Sequence, residues 1–490
     1  MNFKKLMIIR FFITLFVCNV FVNEKAFSQQ YILQSNYGGN YEEEVLNVIP
    51  SLNNDLIIAG NSKSYPNEPP IGVPAQFYIT KISLDGTQSW DVVDGDINEL
   101  DLLFGGIKTY DDKFLTVGYA SYQGTPNQIP GDIRLLKVDT EGNTVYSKLI
   151  EYGGVTSAAR DICYTTDLNY IIAGERIDSF EWKHYPLLVK INDNGDVIWT
   201  KDYKQDTIVG LYKIKQANDG GYYALGTNIV YSSNSVVMRY SEDGEVLWWR
   251  DLRDMGEGYD GIEMIYDMEV NSEGNIIMVV NGHFTIFNPV VCDNTPPEFG
   301  YLIEMNPEGE IIKQKIFCSN QELPVLYYDL TITDDGGVLL ASYNMVLKIN
   351  TDWETEWLIE NIFENVNSYQ VKKVGQFPDS SFYAVGEVVM GNNNLDYFVV
   401  RIAADGVNSI GHIANNKEFI AIYPNPATTE ITVSGYSPAY LKLCDAVGQT
   451  VAESKSNKLY VGNLSQGLYV LQLFDAKGQQ VKTEKVIVGK

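Results

Sequence analysis

From about residue 31 onward the chain is built of short runs in which apolar and polar residues alternate, separated by Gly, Asn and Asp. Helical spacing sustained over about eleven residues is not evident in this part of the chain, so the pattern predicts an all-β fold. One phrase recurs, a β-rich run ending in a small residue and Gly: Ile57-Ile58-Ala59-Gly60, Leu115-Thr116-Val117-Gly118, Ile171-Ile172-Ala173-Gly174, Tyr223-Ala224-Leu225-Gly226 and Tyr383-Ala384-Val385-Gly386. Met278-Val279-Val280-Asn281 and Leu339-Leu340-Ala341-Ser342 read as degenerate copies. A second phrase ends in a turn at Gly86, Gly142, Gly195, Gly244, Gly309, Trp353 and Gly406, a mean spacing of about 53 residues. Seven units of this length, each parsed into four strands A to D, predict a seven-bladed β-propeller. In the fourth copy these are Leu211 to Gln216, Tyr222 to Gly226, Ser235 to Tyr240 and Glu245 to Asp251, with a Gly-bearing hairpin turn before the last.

The ends of the array complement each other. The seventh copy lacks a good strand D after Asp405-Gly406, whereas Tyr31 to Gly39 resembles a strand D that precedes the first strand A. A closed ring in which residues near 30 to 36 complete the last blade accounts for both, and it removes open sheet edges. Two stacked β-sandwiches would leave the complementarity unexplained. Several strands D carry Trp four residues after the turn Gly (Gly86 to Trp90, Gly195 to Trp199, Gly244 to Trp248). This spacing resembles the repeat of quinoprotein-like (PQQ-type) propellers and implies that the indole packs between adjacent blades.

At the N-terminus, Lys4, Lys5 and Arg10 precede a mostly apolar run from Phe11 to Val22, followed by Ala26-Phe27-Ser28, which reads as a secretory signal peptide cut before Gln29. Twelve residues at about 1.5 Å each do not cross a hydrocarbon core. The formal charge of −27, from 36 Lys and Arg against 63 Asp and Glu, opposes nucleic-acid binding. Three His leave little room for a multi-histidine zinc centre. Of the cysteines beyond the signal, Cys292 and Cys318 fall in one repeat and form a disulfide hypothesis.

From Phe419 the text changes. Tyr423-Pro424-Asn425-Pro426, then Gly448 within Asp445 to Gln449, then Gly467-Leu468-Tyr469, and a terminal Lys-Val-Ile-Val-Gly-Lys follow in order. These blocks resemble the type A sorting domain of type IX secretion substrates of Bacteroidota. The same stretch reads as short alternating strands separated by Gly, Pro and Asn turns, a small Ig-like β-sandwich, and the resemblance implies that it is read by an outer-membrane translocon and processed by a sortase-like peptidase. The expected organisation is a signal peptide (1–28), propeller (29–407), linker (408–419) and sorting domain (420–490), with no transmembrane segment in the mature chain and a monomeric state.

In such a blade the A–B and C–D turns share one face, and the B–C and D–A loops share the other. Length variation concentrates in B–C, so the variable loops gather on one face around the central channel. Tyr65, Tyr122, Trp182, Tyr185 and Tyr231 in B–C loops, with Tyr259 and Asp260 in a D–A loop, are the candidate ligand-binding residues; His184, Phe287 and Asp254 lie nearby. No catalytic residue is assigned: nucleophile-elbow, zincin, P-loop and Rossmann patterns do not occur. The acidic stretch Glu257, Asp260, Glu263, Asp267 and Glu269 holds possible carboxylate pairs for glycoside chemistry. Asn192 to Asp196 reads as a turn rather than a calcium loop. No cofactor or metal is expected, calcium in the acidic loops being the open alternative. The sequence thus points to an extracellular or cell-surface propeller that binds a glycan or protein. The competing reading is a polysaccharide hydrolase or lyase with carboxylates in the channel.

Overall fold

Strands B and C of the repeats are buried along nearly their whole length, as in Leu56–Ser62, Phe114–Ser121 and Tyr170–Asp178, because sheets on both sides cover them. That is why they read as apolar runs, whereas strands D such as Thr144–Ile150 alternate between exposed and half-buried positions. In the computed structural model each repeat is an antiparallel four-stranded sheet, and seven such sheets lie among the described residues of the repeat region. The described residues are 32–489, apart from 38–42, 52–53, 64–74, 84–86, 97–99, 122–129, 152–155, 179–182, 205–207, 229–233, 252–261, 284–297, 318–325, 361–368, 390–394, 405, 407–420, 424–426, 435–438, 446–447, 475–477 and 479. The signal-peptide expectation therefore falls outside them. The chain divides into two compact units, residues 1–413 and 414–490.

Blades 1 to 6 span residues 43–94, 101–150, 156–202, 208–251, 262–317 and 327–360; each runs A, B, C, D in sequence order. The seventh takes A, B and C from Tyr369–Gln376, Phe382–Val389 and Leu395–Ile402, and its fourth strand is Ile32–Tyr37, paired antiparallel with Leu395–Ile402. The strands A contact one another in cyclic order, the seventh meeting the first, so they ring the axis and the strands D lie outermost. Glu387 Oε1 of blade 7 accepts from Val45 N of blade 1 at 3.1 Å, a second link across the closure.

The narrow-turn face is uniform for a reason the repeats share. A cation near the end of strand C pairs with the Asp of its blade's A–B turn: Lys81 with Asp55 at 3.1 Å, Lys137 with Asp111 at 3.0 Å, Lys190 with Asp167 at 2.9 Å and Lys348 with Asp335 at 3.0 Å. Arg239 with Asp219 and Arg401 with Asp379 repeat the pair. Blade 5 inverts it: Glu304 stands in place of the cation and accepts from Asn271 at 2.9 Å and Asn275 at 2.8 Å.

The strand D aromatic of one blade lies over the C–D turn Gly of the next. Trp90 covers Gly142, Tyr146 covers Gly195, Trp199 covers Gly244, Trp248 covers Gly309 and Trp357 covers Gly406. The indoles of Trp90 and Trp248 also donate to Thr140 O and Pro307 O, each at 3.0 Å. Between blades 5 and 6 the partners trade places. Trp353 occupies the turn position at φ 66°, and Lys313 replaces the strand D aromatic, with its ammonium 4.4 Å from the Trp353 ring and donating to Thr351 O at 2.8 Å. Trp248→Ala is expected to cost about 2 kcal/mol, less than a fully buried Trp because the ring is partly exposed. A denaturant midpoint unchanged from wild type would show that the indole is not a blade clasp.

The second unit is a small sandwich. One sheet holds Ala421–Tyr423, Glu430–Ser434 and Lys458–Tyr460, and the other is ordered Thr450–Ser454, Tyr440–Cys444, Gly467–Phe474, Gln480–Val488. Ile431, Val433, Leu441, Leu443, Leu471, Leu473 and Val486 fill its core. Gly448 closes the Asp445 turn at φ 82°, a conformation that favours Gly, and Tyr469 OH donates to Ser465 O at 2.8 Å. Tyr423 ends the first strand and Gly467 opens the long one; Pro424, Asn425 and Pro426 lie outside the described residues.

Candidate binding site

In all seven blades strand A slips register against strand B at an equivalent place, which leaves one bulged residue there: Leu46, Phe104, Arg160, Tyr212, Tyr266, Tyr328 and Lys372; blade 4 has a second slip between Ile208 and Gly210. A bulge re-aims a side chain, and these lie no further than the fifth residue of the innermost strand, counted from the D–A loop. Three of them reach into the next or preceding blade around the axis. The Arg160 guanidinium stands 4.3 Å from the Phe104 ring, Tyr212 OH donates to Ile265 O at 2.9 Å, and Tyr266 meets Tyr328 edge-on at 5.6 Å. The bulge also frees backbone N–H groups, which side chains of the preceding blade satisfy. Asn61 accepts from Leu103 N at 2.8 Å, Ser235 from Ile265 N at 2.9 Å and Asn281 from Tyr327 N at 2.9 Å. This places Asn281 in the role of Asn61, so the fifth copy of the repeat phrase is Ile277 to Val280, one residue earlier than the Met278 to Asn281 expected from the sequence.

The residue after each bulge forms a second ring, Asn47, Gly105, Asp161, Lys213, Asp267, Asp329 and Lys373. Lys213 pairs with Asp267 at 3.0 Å and Lys373 with Asp329 at 2.6 Å, while Lys215 pairs with Glu269 at 2.5 Å one step further in. Asp161 accepts from Ile214 N and Asp329 from Val374 N, both at 3.0 Å and both into the next blade. Gly105 is required beside this ring: a Cβ there would stand 2.8 Å from Asp161 Cα. Asp267 and Asp329 hydrogen-bond each other. Burial raises both carboxyls. The Lys213, Lys373 and Lys215 charges outweigh it at Asp267 and keep that group ionised, whereas burial and the Asp267 charge push Asp329 up to about 7. Three ammonium groups thus face four carboxyls, Asp161, Asp267, Glu269 and Asp329.

On blade 3 a polar line crosses the sheet toward the loops: Arg160 donates to Glu175 at 2.5 Å, and Glu175 meets His184 Nδ1 at 2.7 Å. Burial raises the Glu175 carboxyl, but the His184 hydrogen bond and the Arg160 charge prevail and hold it below its usual range. Blade 7 repeats the first pair as Lys372 with Glu387 at 3.2 Å. Glu175 and Glu387 occupy the same position, the residue after the strand B Gly.

Of the residues expected from the sequence to bind ligand, Tyr65, Tyr122, Trp182, Tyr231, Tyr259 and Asp260 lie outside the described residues, as do Cys292 and Cys318. Tyr185 is corrected. It is not a loop residue but belongs to strand Lys183–Ile191, is 7% exposed, and packs under the Arg176 guanidinium at 5.6 Å. The strands flanking this loop run on to Asp178 and start at Lys183, because Arg176 and Tyr185 form a cross-strand pair. Within the acidic stretch, Asp267 and Glu269 do meet other charged groups in the channel. Their partners Lys213, Asp329 and Lys373 escaped the sequence reading, although each ring residue stands thirteen positions before the strand B marker, as Asp161 does before Gly174 and Lys213 before Gly226. Asn192 to Asp196 is a turn, with Asn192 Oδ1 accepting from Asn194 N and Asp196 N, both at 2.9 Å.

No curated protein matches the chain. Solved structures to which it is similar include PorZ, a surface component of the type IX secretion system of Porphyromonas gingivalis (10% identity, 91% of this chain and 75% of that one, TM-score 0.37). Others are the hydrazine synthase of Kuenenia stuttgartiensis (12%, 76% and 99%, TM-score 0.48) and a puromycin hydrolase (12%, 91% and 61%, TM-score 0.47). Similarity at this level transfers no activity. Among the described residues no helix is long and apolar enough to cross a membrane. The family described as secretion system C-terminal sorting domain matches residues 421–489. The chain is therefore an all-β propeller carrying a type IX secretion sorting domain, a tail that implies export from the cell.

Proposed function

We propose that this is a non-catalytic binding protein of the outer cell surface or medium, which recognises a glycan or protein partner at the loop-bearing end of its propeller. The observation that carries the reading is the contrast between the two ends of the blades. At one end the A–B turns are held in nearly every blade by the same ion pair, and at the other the connections differ in length from blade to blade around a channel mouth of mixed aromatic and charged side chains. A rigid scaffold that varies only at one end is suited to recognition. The hydrolase reading is less favoured. Its two carboxyls need a separation of about 5 to 9.5 Å with the sugar between them, whereas Asp267 and Asp329 bond each other and are engaged by lysines and main-chain N–H groups. The sorting domain supports handling by the type IX translocon and a sortase-like peptidase.

The test is the purified full chain on an array of polysaccharides and outer-surface proteins of a type IX secreting bacterium, with released sugars assayed in the same wells. Specific capture without release is the expected result. Release of product that Asp329→Asn abolishes would make it an enzyme, and no capture by either class would overturn the binding reading.

A further inference from the structure

Around the channel mouth the bulged residues are not distributed at random. Tyr212, Tyr266 and Tyr328 come from consecutive blades 4, 5 and 6, and the next charged positions on either side are Arg160 of blade 3 and Lys372 of blade 7. Each cation is matched by a carboxylate of its own blade, Glu175 or Glu387. Tyr212 is pinned by Ser235 and Ile265, but Tyr266 is 39% exposed although it lies on an innermost strand.

We propose that this wall is a seat for a neutral oligosaccharide, whose chain end enters the channel mouth and stacks on Tyr266 and Tyr328 while its hydroxyls bond the Arg160–Glu175 and Lys372–Glu387 pairs. The inference rests on the binding reading above and narrows it to one ligand class and one place. Aromatic faces bury the C–H face of a pyranose or furanose ring. An adjacent donor and acceptor match vicinal hydroxyls, each of which both donates and accepts. Because both cations are already neutralised within the wall and the whole chain carries −27, an anionic ligand has no net attraction to it. The wall stands on innermost strands ringed by seven blades, which suits a narrow chain end better than a folded protein surface. The Lys213, Asp267, Asp329 and Lys373 ring one step deeper supplies a fixed floor.

The full chain is titrated calorimetrically with cellohexaose, xylohexaose, mannohexaose, arabinohexaose and, as the acidic comparison, galacturonohexaose. At least one neutral hexamer is expected to bind. Tyr266→Ala and Arg160→Gln should each weaken it by about tenfold or more, and Tyr266→Phe, which keeps the ring, should stay within about twofold. Thermal melts of each variant check folding, with Tyr328→Ala in place of Tyr266→Ala if the latter unfolds. Binding of none of the neutral hexamers, or of the acidic one alone, overturns the neutral-saccharide class. Binding that survives the channel variants but is lost in Trp182→Ala or Tyr65→Ala overturns the channel seat and leaves the loop-face reading standing.

Discussion

Asp267→Ala is expected to lower the unfolding free energy of the propeller by about 3–5 kcal/mol, the range for removing one partner of a buried ion pair. The loss has two sources. Lys213, its ammonium 3.0 Å from Asp267, loses its nearest counter-charge, and Leu330 N loses an acceptor in the neighbouring blade. All seven Trp precede residue 358, so tryptophan fluorescence during chemical unfolding reports the propeller without the sorting unit. A loss below about 1 kcal/mol would place the pair with solvent-screened surface bridges instead.

The same cluster sets a pH dependence with a definite sign. Asp329 is pushed up from the usual carboxylate value near 4 to about 7 by burial and by the Asp267 charge. Between those two values the folded state holds a proton that the unfolded state has lost, so this group's contribution to stability declines as pH rises from about 4 to about 7. Asp267 acts in the opposite direction and only at lower pH. Its folded value is depressed by Lys213, Lys373 and Lys215, so its contribution is present above the unfolded carboxylate range and is lost on acidification. Asp329→Asn mimics the protonated form. The variant should gain on wild type progressively as pH rises from about 4 to about 7 and no further above that, whereas melting curves that stay parallel across the range would show that Asp329 is ionised throughout.

Gly174→Ala is the second large effect, with an expected cost of about 3 kcal/mol or more. The backbone here does not require positive φ. The reason for Gly is the bulge of strand A, which brings the Ala158 carbonyl onto the space a Cβ would fill, with Ala158 C and Ala159 Cα each 3.0 Å away. These are backbone atoms, so no rotamer change relieves the clash. Gly60, Gly118 and Gly386 are crowded in the same way by the carbonyls of Glu44, Leu102 and Gln370. By contrast Gly448→Ala in the sorting unit meets nothing within 4 Å and should cost only the left-handed backbone penalty, about 1–2 kcal/mol. If the two substitutions shift the melting of their units equally, close approach is not what the strand B Gly serves.

These glycines show how much of the molecule could be read from the chain. Alternation, turn residues and a repeat of about fifty residues are local properties, and they were sufficient for an all-β propeller of four-stranded units and for its closure by the strand Ile32–Tyr37. The strand D aromatics were visible too, because their spacing from the turn Gly is local. What the chain alone did not reveal is why the strand B Gly recurs, since the bulge that demands it belongs to another strand. Nor could it show that Arg160, Tyr266, Asp329 and Lys373, each ordinary in its own strand, share one wall and floor. Such residues lie dozens to hundreds of positions apart, and the interactions that define the site, buried charges neutralising one another and rings meeting edge to edge, have no magnitude until seven blades bring them to a common axis.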